Sequence, residues 1–485
     1  MHGHFIKLVH ACISTPSFLV IINGQTYSNF VSTRGIRQRC PLSPYLFILA
    51  INELSISLSD ALSISRLAGV MLGLGCPPIH SLLFADDLLV CGAATLQEAQ
   101  VIKQTLLEFC AQSGQTPNWE KSGIIFSKHV DTAVSLAITQ IFPVPLIDEG
   151  FTHLGHPLIL PGRNMSEAYN FILQKFKSKL STYKANTLSH AARMELIKSV
   201  FASIPVYYMS NIIFSKKFLS KIQLIIRNFW WTGASSEPAS KPLCLTAWKN
   251  ICMPKSEGGL GIRNLQARNM GLILSAAWMI VEKPNSFLHD ILKAKYFPSS
   301  SIWRPKPNTP KSAFWSSVLK VLPLLLQNSW IQLCNGSSSI WTSPWFNGWE
   351  NIYDNLIMQN RDFNYPSTVN QLWIPGRKEW NYSLVDSLFL QPVAQAIKNT
   401  TIVPTEEDNI LCWKLTPSGK CNSKSTYRAC LQMLFDTGTP SPDQVQESTK
   451  NIMKQVWRCK EMIPRIKTFA WRLLRRALAT GNRAS

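Results

Sequence analysis

Apolar positions first fall at helical spacing: Phe5, Ile6, Val9 and Ile13 share one face of a helix. The pattern then changes to short runs. Phe18–Ile22 and Tyr27–Val31 flank Asn23-Gly24, and Asn-Gly between apolar runs is the strongest local hairpin signal. Ser43 and Pro44 read as an N-cap with proline at the first helical position, opening a helix through about Leu58. Leu82–Phe84 and Leu88–Cys91 carry no polar face, which predicts two buried strands joined by a tight turn at Asp86 and Asp87. Thr95–Gln112 sets Ala99, Ile102, Leu106 and Phe109 on one side of an amphipathic helix. A Gly/Pro-punctuated turn then delivers Lys121 to the mouth of a short strand, Gly123–Phe126. Asn170–Leu180 and His190–Phe201 are again helix-patterned, and lysine-rich.

The second half is marked by tryptophan (Trp248, Trp278, Trp303, Trp315, Trp330, Trp341, Trp345 and Trp349) at irregular spacings. Such residues can stack on bases, but the irregular spacing favours a core role. Gly258-Gly259-Leu260-Gly261 lacks the strand before it and the Lys-Ser/Thr after it that a phosphate loop needs, and reads as a turn. Residues 351–410 show no clear pattern, and 431–447 reads as a linker.

Charge changes this picture more than length does. A chain of 485 residues implies about three domains, and 46% hydrophobic residues make it a folding composition. Its 49 Lys plus Arg against 28 acids give a net charge of +21, which suits a polyanionic partner. The excess is clustered. Residues 168–236 hold ten basic residues (Lys175, Lys177, Lys179, Lys184, Arg193, Lys198, Lys216, Lys217, Lys221, Arg227) and one acid, Glu195; residues 451–485 hold nine and one, Glu461. The 12 cysteines show no C-x-x-C pair, so neither a disulfide framework nor a zinc ribbon is signalled. Free thiols and the lack of a signal-peptide pattern point to an intracellular setting, nuclear or cytoplasmic. Leu42–Leu54 is too short and too interrupted to predict a membrane span.

Two stretches carry candidate chemistry. Asp86 and Asp87 either serve the turn, as aspartates commonly do, or hold a cation, because two adjacent carboxylates repel unless something answers them. Mg²⁺ suits the second case, taking one or two protein carboxylates plus substrate phosphates. The loop R-G-I-R-Q-R-C-P-L-S-P brings Arg34, Arg37, Gln38 and Arg39 beside a helix N-terminus, either to face phosphate or simply to be solvated. Lys121 can contact a phosphate, protonate a leaving group, or sit solvated at a strand edge.

R-G-I-R-Q-R-C-P-L-S-P, F-A-D-D, S-G-Q-x-x-N-x-x-K-S and H-L-G-H-P-L occur in that order. The set resembles the reverse transcriptase of plant non-LTR (LINE-type) retrotransposons. The similarity continues through L-S-H-A-A-R-M-E-L-I-K-S-V, P-K-S-E-G-G-L-G-I-R-N-L, the Trp-rich span and W-x₅-G-x₄-K-S-x-Y. The resemblance implies an α+β fold: a polymerase palm of antiparallel sheet plus helices, incomplete at its start, over 1–130. A connection and basic helical thumb over 131–235 would follow, then a Trp-rich region over 236–410. Residues 411–485 would begin the zinc-binding region that follows such polymerases. Cys412, Cys421 and Cys430 stand at nine-residue intervals, which is not ligand spacing, so zinc is not supported.

The resemblance further implies RNA-directed DNA synthesis through Mg²⁺ at Asp86 and Asp87, with Lys121 catalytic. Arg34, Arg37, Gln38, Lys175, Lys177, Lys179 and Lys184 would contact nucleotide, RNA or RNA–DNA duplex, and a deoxynucleoside triphosphate would be the substrate of an active chain. Two departures weigh against activity. The family's other catalytic aspartate precedes the arginine loop, whereas the first aspartate here is Asp60, and the family's glycine after Gln38 is Arg39. The expectation is therefore a truncated, inactive remnant with an incomplete Mg²⁺ site and no membrane partner. A non-enzymatic nucleic-acid-binding protein is the alternative, and an intron maturase-like factor, which shares the A-D-D palm, a more distant one.

Overall fold

The computed structural model describes residues 3–33, 35–147, 152–158, 167–182, 187–233, 243–305, 310–357, 364–436 and 446–478. They form two units, Met1–Ile159 and Leu160–Ser485. The predicted Arg34 and Lys184 sites, and most of the linker, lie outside the described residues.

In the first unit, α1 (Gly3–Ser14) leads into β1 (Ser17–Ile22) and β2 (Gln25–Val31). Asn23 and Gly24 have φ of 49° and 82°, the left-handed pair that a primed two-residue hairpin turn requires. Next come α2 (Ser43–Ser63), β3 (Ser81–Phe84), β4 (Asp87–Val90), α3 (Leu96–Ser113) and α4 (Thr132–Ile141). A two-residue hairpin, β5 (Thr152–His153) with β6 (His156–Pro157), closes the unit. Thr95 caps α3 by accepting from Glu98 N–H, and Gly114 ends it at φ 69°. The small core is Leu54, Leu58 and Ala61 of α2 with Leu67 and Phe109, while Ile102 and Leu106 pack against it. The predicted strand Gly123–Phe126 does not form; a single parallel bridge, Ile124 to Leu146, takes its place.

Two expectations about α2 need correction. Ser43 is not its cap: Leu42 holds that position, and the Ser43 hydroxyl donates instead to the Arg37 carbonyl. The helix also runs to Ser63, well beyond Leu58, which makes it long and apolar enough, by length and composition alone, to cross a membrane. Its Leu54, Leu58 and Ala61 are nonetheless part of the unit's core.

The second unit opens with α5 (Asn170–Thr182), α6 (His190–Leu196), α7 (Val206–Met209), α8 (Lys216–Thr232) and α9 (Trp248–Cys252). It continues with α10 (Leu265–Glu282), α11 (Phe287–Tyr296), α12 (Ala313–Asn328), β7 (Ser329–Gln332), α13 (Tyr382–Leu388) and α14 (Gln391–Lys398). It ends with β8 (Ile410–Trp413), α15 (Ser423–Asp436), α16 (Glu447–Arg458) and α17 (Pro464–Leu474). A π-helical turn, Ile197–Phe201, continues α6. The α+β class holds, with antiparallel strands paired as separate two-stranded sheets among the described residues and not as one palm sheet.

Two cores share this unit. One gathers Ile172, Phe176, Met194, Ile222, Phe229 and Trp230 with Met453 and Trp471 from α16 and α17. The other gathers α10 and α12 with Trp315, Trp345, Trp349, Trp373, Trp380 and Trp413. The irregular tryptophans are thus mainly core, as their spacing suggests. β7 pairs with β8, joining 329–332 to 410–413, so the region after 410 packs with the Trp-rich region. Gly258–Gly261 is a structural turn: a Cβ on Gly259 would stand 2.0 Å from the Met253 carbonyl oxygen, and Trp471 Nε1 donates to Gly258 O at 3.0 Å.

Asn269 on α10 is fully buried and fully partnered. Its Nδ2 donates to Met209 O and Ile212 O, each at 2.8 Å, and its Oδ1 accepts from Phe214 N–H at 2.8 Å. Two residues on, Gly271 lies so close to α15 that a Cβ would stand 3.0 Å from Tyr427 Cα. Asn269→Ala strands three buried backbone groups and is expected to cost about 3 kcal/mol or more in urea unfolding. A second test uses pH. Burial first, then Arg472 and Arg193, push the His190 imidazole down to about 4. The folded state therefore favours neutral His190, and stability should fall as pH drops from about 6.5 towards 4. At pH 5 the loss is about 2 kcal/mol, and His190→Gln should remove it from the pH dependence of the unfolding midpoint.

Candidate nucleic-acid and metal site

β3 and β4 pair in register Leu83 with Leu88 and Phe84 with Asp87, leaving Ala85 and Asp86 as the loop. Ala85 has φ 53°, the positive φ that a two-residue hairpin loop asks of its first position and that glycine adopts more easily. Strand alternation sends Leu88 and Val90 towards the core of α2 and α3. The other face is open: Leu82 is 43% and Phe84 65% exposed, and Asp86 and Asp87 are both exposed. This corrects the expectation of two buried strands. A continuous apolar run resembles a strand covered on both faces, but only one face is covered here.

His80 ties this hairpin to α2. Its Nε2 meets Ser59 Oγ at 3.1 Å and its Nδ1 meets Ser81 Oγ at 2.9 Å. Ser59 Oγ already donates to Ser55 O, which assigns the ring proton to Nε2 and makes Nδ1 the acceptor from Ser81. Burial lowers the His80 pKa, in keeping with a neutral ring. The motif reading missed this residue, whose only sequence signal is its place at the start of the acidic stretch.

Asp86 and Asp87 are neighbours in the chain, but among the described residues no group of three His, Cys, Asp or Glu side chains gathers to hold a metal ion. The pair suits an ion held mostly by water and by phosphates of a bound nucleotide, not a closed protein cage. Lys121 is exposed, in a short 3₁₀ turn capped by Asn118, and among the described residues no ion pair joins it to either aspartate.

In the arginine loop, Arg37, Gln38 and Arg39 are all exposed. The Cys40 thiol pKa is lowered, first by the Leu42 N–H at the start of α2, with Arg37 a smaller contributor. One donor at that helix start is therefore turned to sulfur. Arg39 has φ 59°, a conformation that favours glycine.

The lysines of the second unit divide into two groups. Lys175 is exposed but partnered: its Nζ donates to Tyr208 Oη at 2.9 Å and lies 5.2 Å from the Phe171 ring centroid. Arg193 is buried and donates to Trp230 O and Trp231 O at the end of α8. Lys198 donates to Leu260 O at 2.8 Å, with its pKa pushed down to about 8 by burial and Lys255. Lys177, Lys179, Lys216, Lys217 and Lys221 are exposed, as are Arg458, Lys460 and Arg465 near the end of the chain.

Residues 2–158, nearly the whole first unit, match the family model for reverse transcriptase (RNA-dependent DNA polymerase). Over those residues the first unit is similar to reverse transcriptases. The chain is 28% identical over 334 residues to an Arabidopsis thaliana protein named "Putative ribonuclease H protein", covering 66% of this chain and 50% of that one. It therefore spans about half the length of that relative. It is also 29% identical over 148 residues to an uncharacterized mitochondrial protein of A. thaliana, covering 30% of this chain and 92% of the relative. An uncharacterized 149 kDa protein of transposon TX1 from Xenopus laevis is 24% identical over 262 residues, 53% of this chain and 19% of that protein.

Arg39 gives the first unit a local test. Arg39→Gly should raise its unfolding free energy by up to about 1 kcal/mol, read by urea denaturation, because glycine takes φ 59° without a Cβ penalty.

Proposed function

We propose that this retrotransposon reverse transcriptase binds RNA and RNA–DNA duplex but does not extend a primer on its own. The observation that carries the reading is the acidic turn: two exposed adjacent carboxylates, with no third metal-binding side chain grouped with them among the described residues. Two-metal nucleotidyl transfer needs carboxylates from two places to fix ions about 4 Å apart. Asp86 and Asp87 supply one place. Mg²⁺ bound there would neutralise phosphate charge on a deoxynucleoside triphosphate. Asp86, at the loop tip, would be the main ligand, with Asp87 supporting it. Among the described residues no second carboxylate source is grouped with them to fix the ion that activates the attacking 3′-hydroxyl, and lacking one costs roughly a thousandfold or more in rate.

Binding without chemistry is favoured by the exposed lysines of α5 and α8, Lys177, Lys179, Lys216, Lys217 and Lys221. Each phosphate contact releases counterions, so affinity should fall steeply with salt, and each Lys→Gln change at a contacting position should lower the log–log slope by about 1. An affinity insensitive to salt would exclude this mode.

Labelled-nucleotide incorporation on a primed RNA template tests the catalytic half. No synthesis above the Asp86→Ala background is expected, with weak Mg²⁺ binding that weakens further in that variant. Template-dependent extension that disappears in Asp86→Ala would overturn the reading.

A further inference from the structure

β7 alternates between two environments. Ser329 is buried and Ile331 packs on the core of α10 and α12, so Trp330 and Gln332 project together from the opposite face. They line a cavity of about 540 Å³ whose floor and walls include Asn347, Asn399 and Thr401. That volume is in the range of small-ligand sites, about 300–1,000 Å³. Its lining carries no Asp, Glu, Lys or Arg.

Trp330 and Asn347 also line a second cavity of about 120 Å³, on which Lys414 borders. The indole thus stands between the two spaces, with Lys414 Nζ 5.8 Å from its ring centroid. Several polar groups here are uncommitted: among the described residues, no hydrogen bond engages the side chains of Asn347 or Thr401. Gln332 Oε1 has only a weak contact from Cys412 Sγ at 4.0 Å.

We propose that this cleft is a nucleobase site for single-stranded nucleic acid, in which a base stacks on Trp330 and its polar edge meets Gln332 and Asn347. A flat, uncharged ring with donors and acceptors on its edge matches a neutral cavity with one aromatic wall and two side-chain amides. The phosphate stays outside, where Lys414 supplies charge. The proposal rests on the reading of the chain as a nucleic-acid binder and adds to it a contact that depends on the base and not on the backbone.

The test is fluorescence anisotropy with the full chain and a labelled single-stranded oligouridylate, repeated with Trp330→Ala and Trp330→Phe. Trp330→Ala should weaken binding about tenfold with the salt slope unchanged, because a stacking partner is lost and no phosphate contact is. Trp330→Phe should recover most of the affinity. Should Trp330→Ala fail to fold by circular dichroism, Gln332→Ala with Asn347→Ala decides, and is expected to alter the ratio of affinities for oligouridylate and oligoadenylate several-fold. Binding by every variant equal to the parent chain overturns the cleft while leaving the nucleic-acid reading intact. No binding by the parent chain at any salt concentration overturns both.

Discussion

The second unit depends on one buried amide. Asn269 sits where α10 passes between two hydrophobic cores, and its side chain closes three hydrogen bonds to the backbone of 209–214. That segment has no ladder of its own to satisfy those groups, so burying them costs little only with the amide in place. With Asn269 fixing one side of α10, Gly271 can bring α15 to near backbone contact on another. The order of the tryptophan core therefore begins with a polar interaction, and apolar burial builds on it.

Much of the fold was legible in the residues because local chemistry and tertiary packing agree. Asn23-Gly24 dictates its turn, Thr95 and Gly114 bound α3, and the face of Ala99, Ile102, Leu106 and Phe109 is the face that packs. Where the reading erred, tertiary context decided. The strand at Gly123–Phe126 lacked a partner able to form more than one bridge. The runs around Asp86 and Asp87 lost their presumed cover on one side, which periodicity alone cannot reveal, because a half-covered strand and a fully covered one can share a composition.

The candidate site was legible as chemistry and less so as geometry. Sequence motifs identified the acidic turn and the arginine loop, and the family match over the first unit agrees with them. Charge clustering overstated the number of basic residues at liberty to bind. Arg193 and Lys198 spend hydrogen bonds on carbonyls at the end of α8 and on Leu260. A residue count treats a cation on an open helix face and one tying down a turn as equals, and only packing separates them. The positive φ at Arg39 was likewise invisible without coordinates.

The ribbon of β1 and β2 has a consequence for how the molecule behaves in the hands of an experimenter. Its residues are exposed along nearly their whole length, including Leu19, Ile21, Phe30 and Val31, and a lone two-stranded ribbon is marginal in water. Its edges offer free backbone donors and acceptors to any neighbouring chain. Concentrated samples will thus tend to grow oligomers by edge-to-edge strand addition, and proteases will nick this ribbon long before they reach α10. Storage conditions that suppress β-association, and not simply those that raise the melting temperature, will govern how much monomer survives.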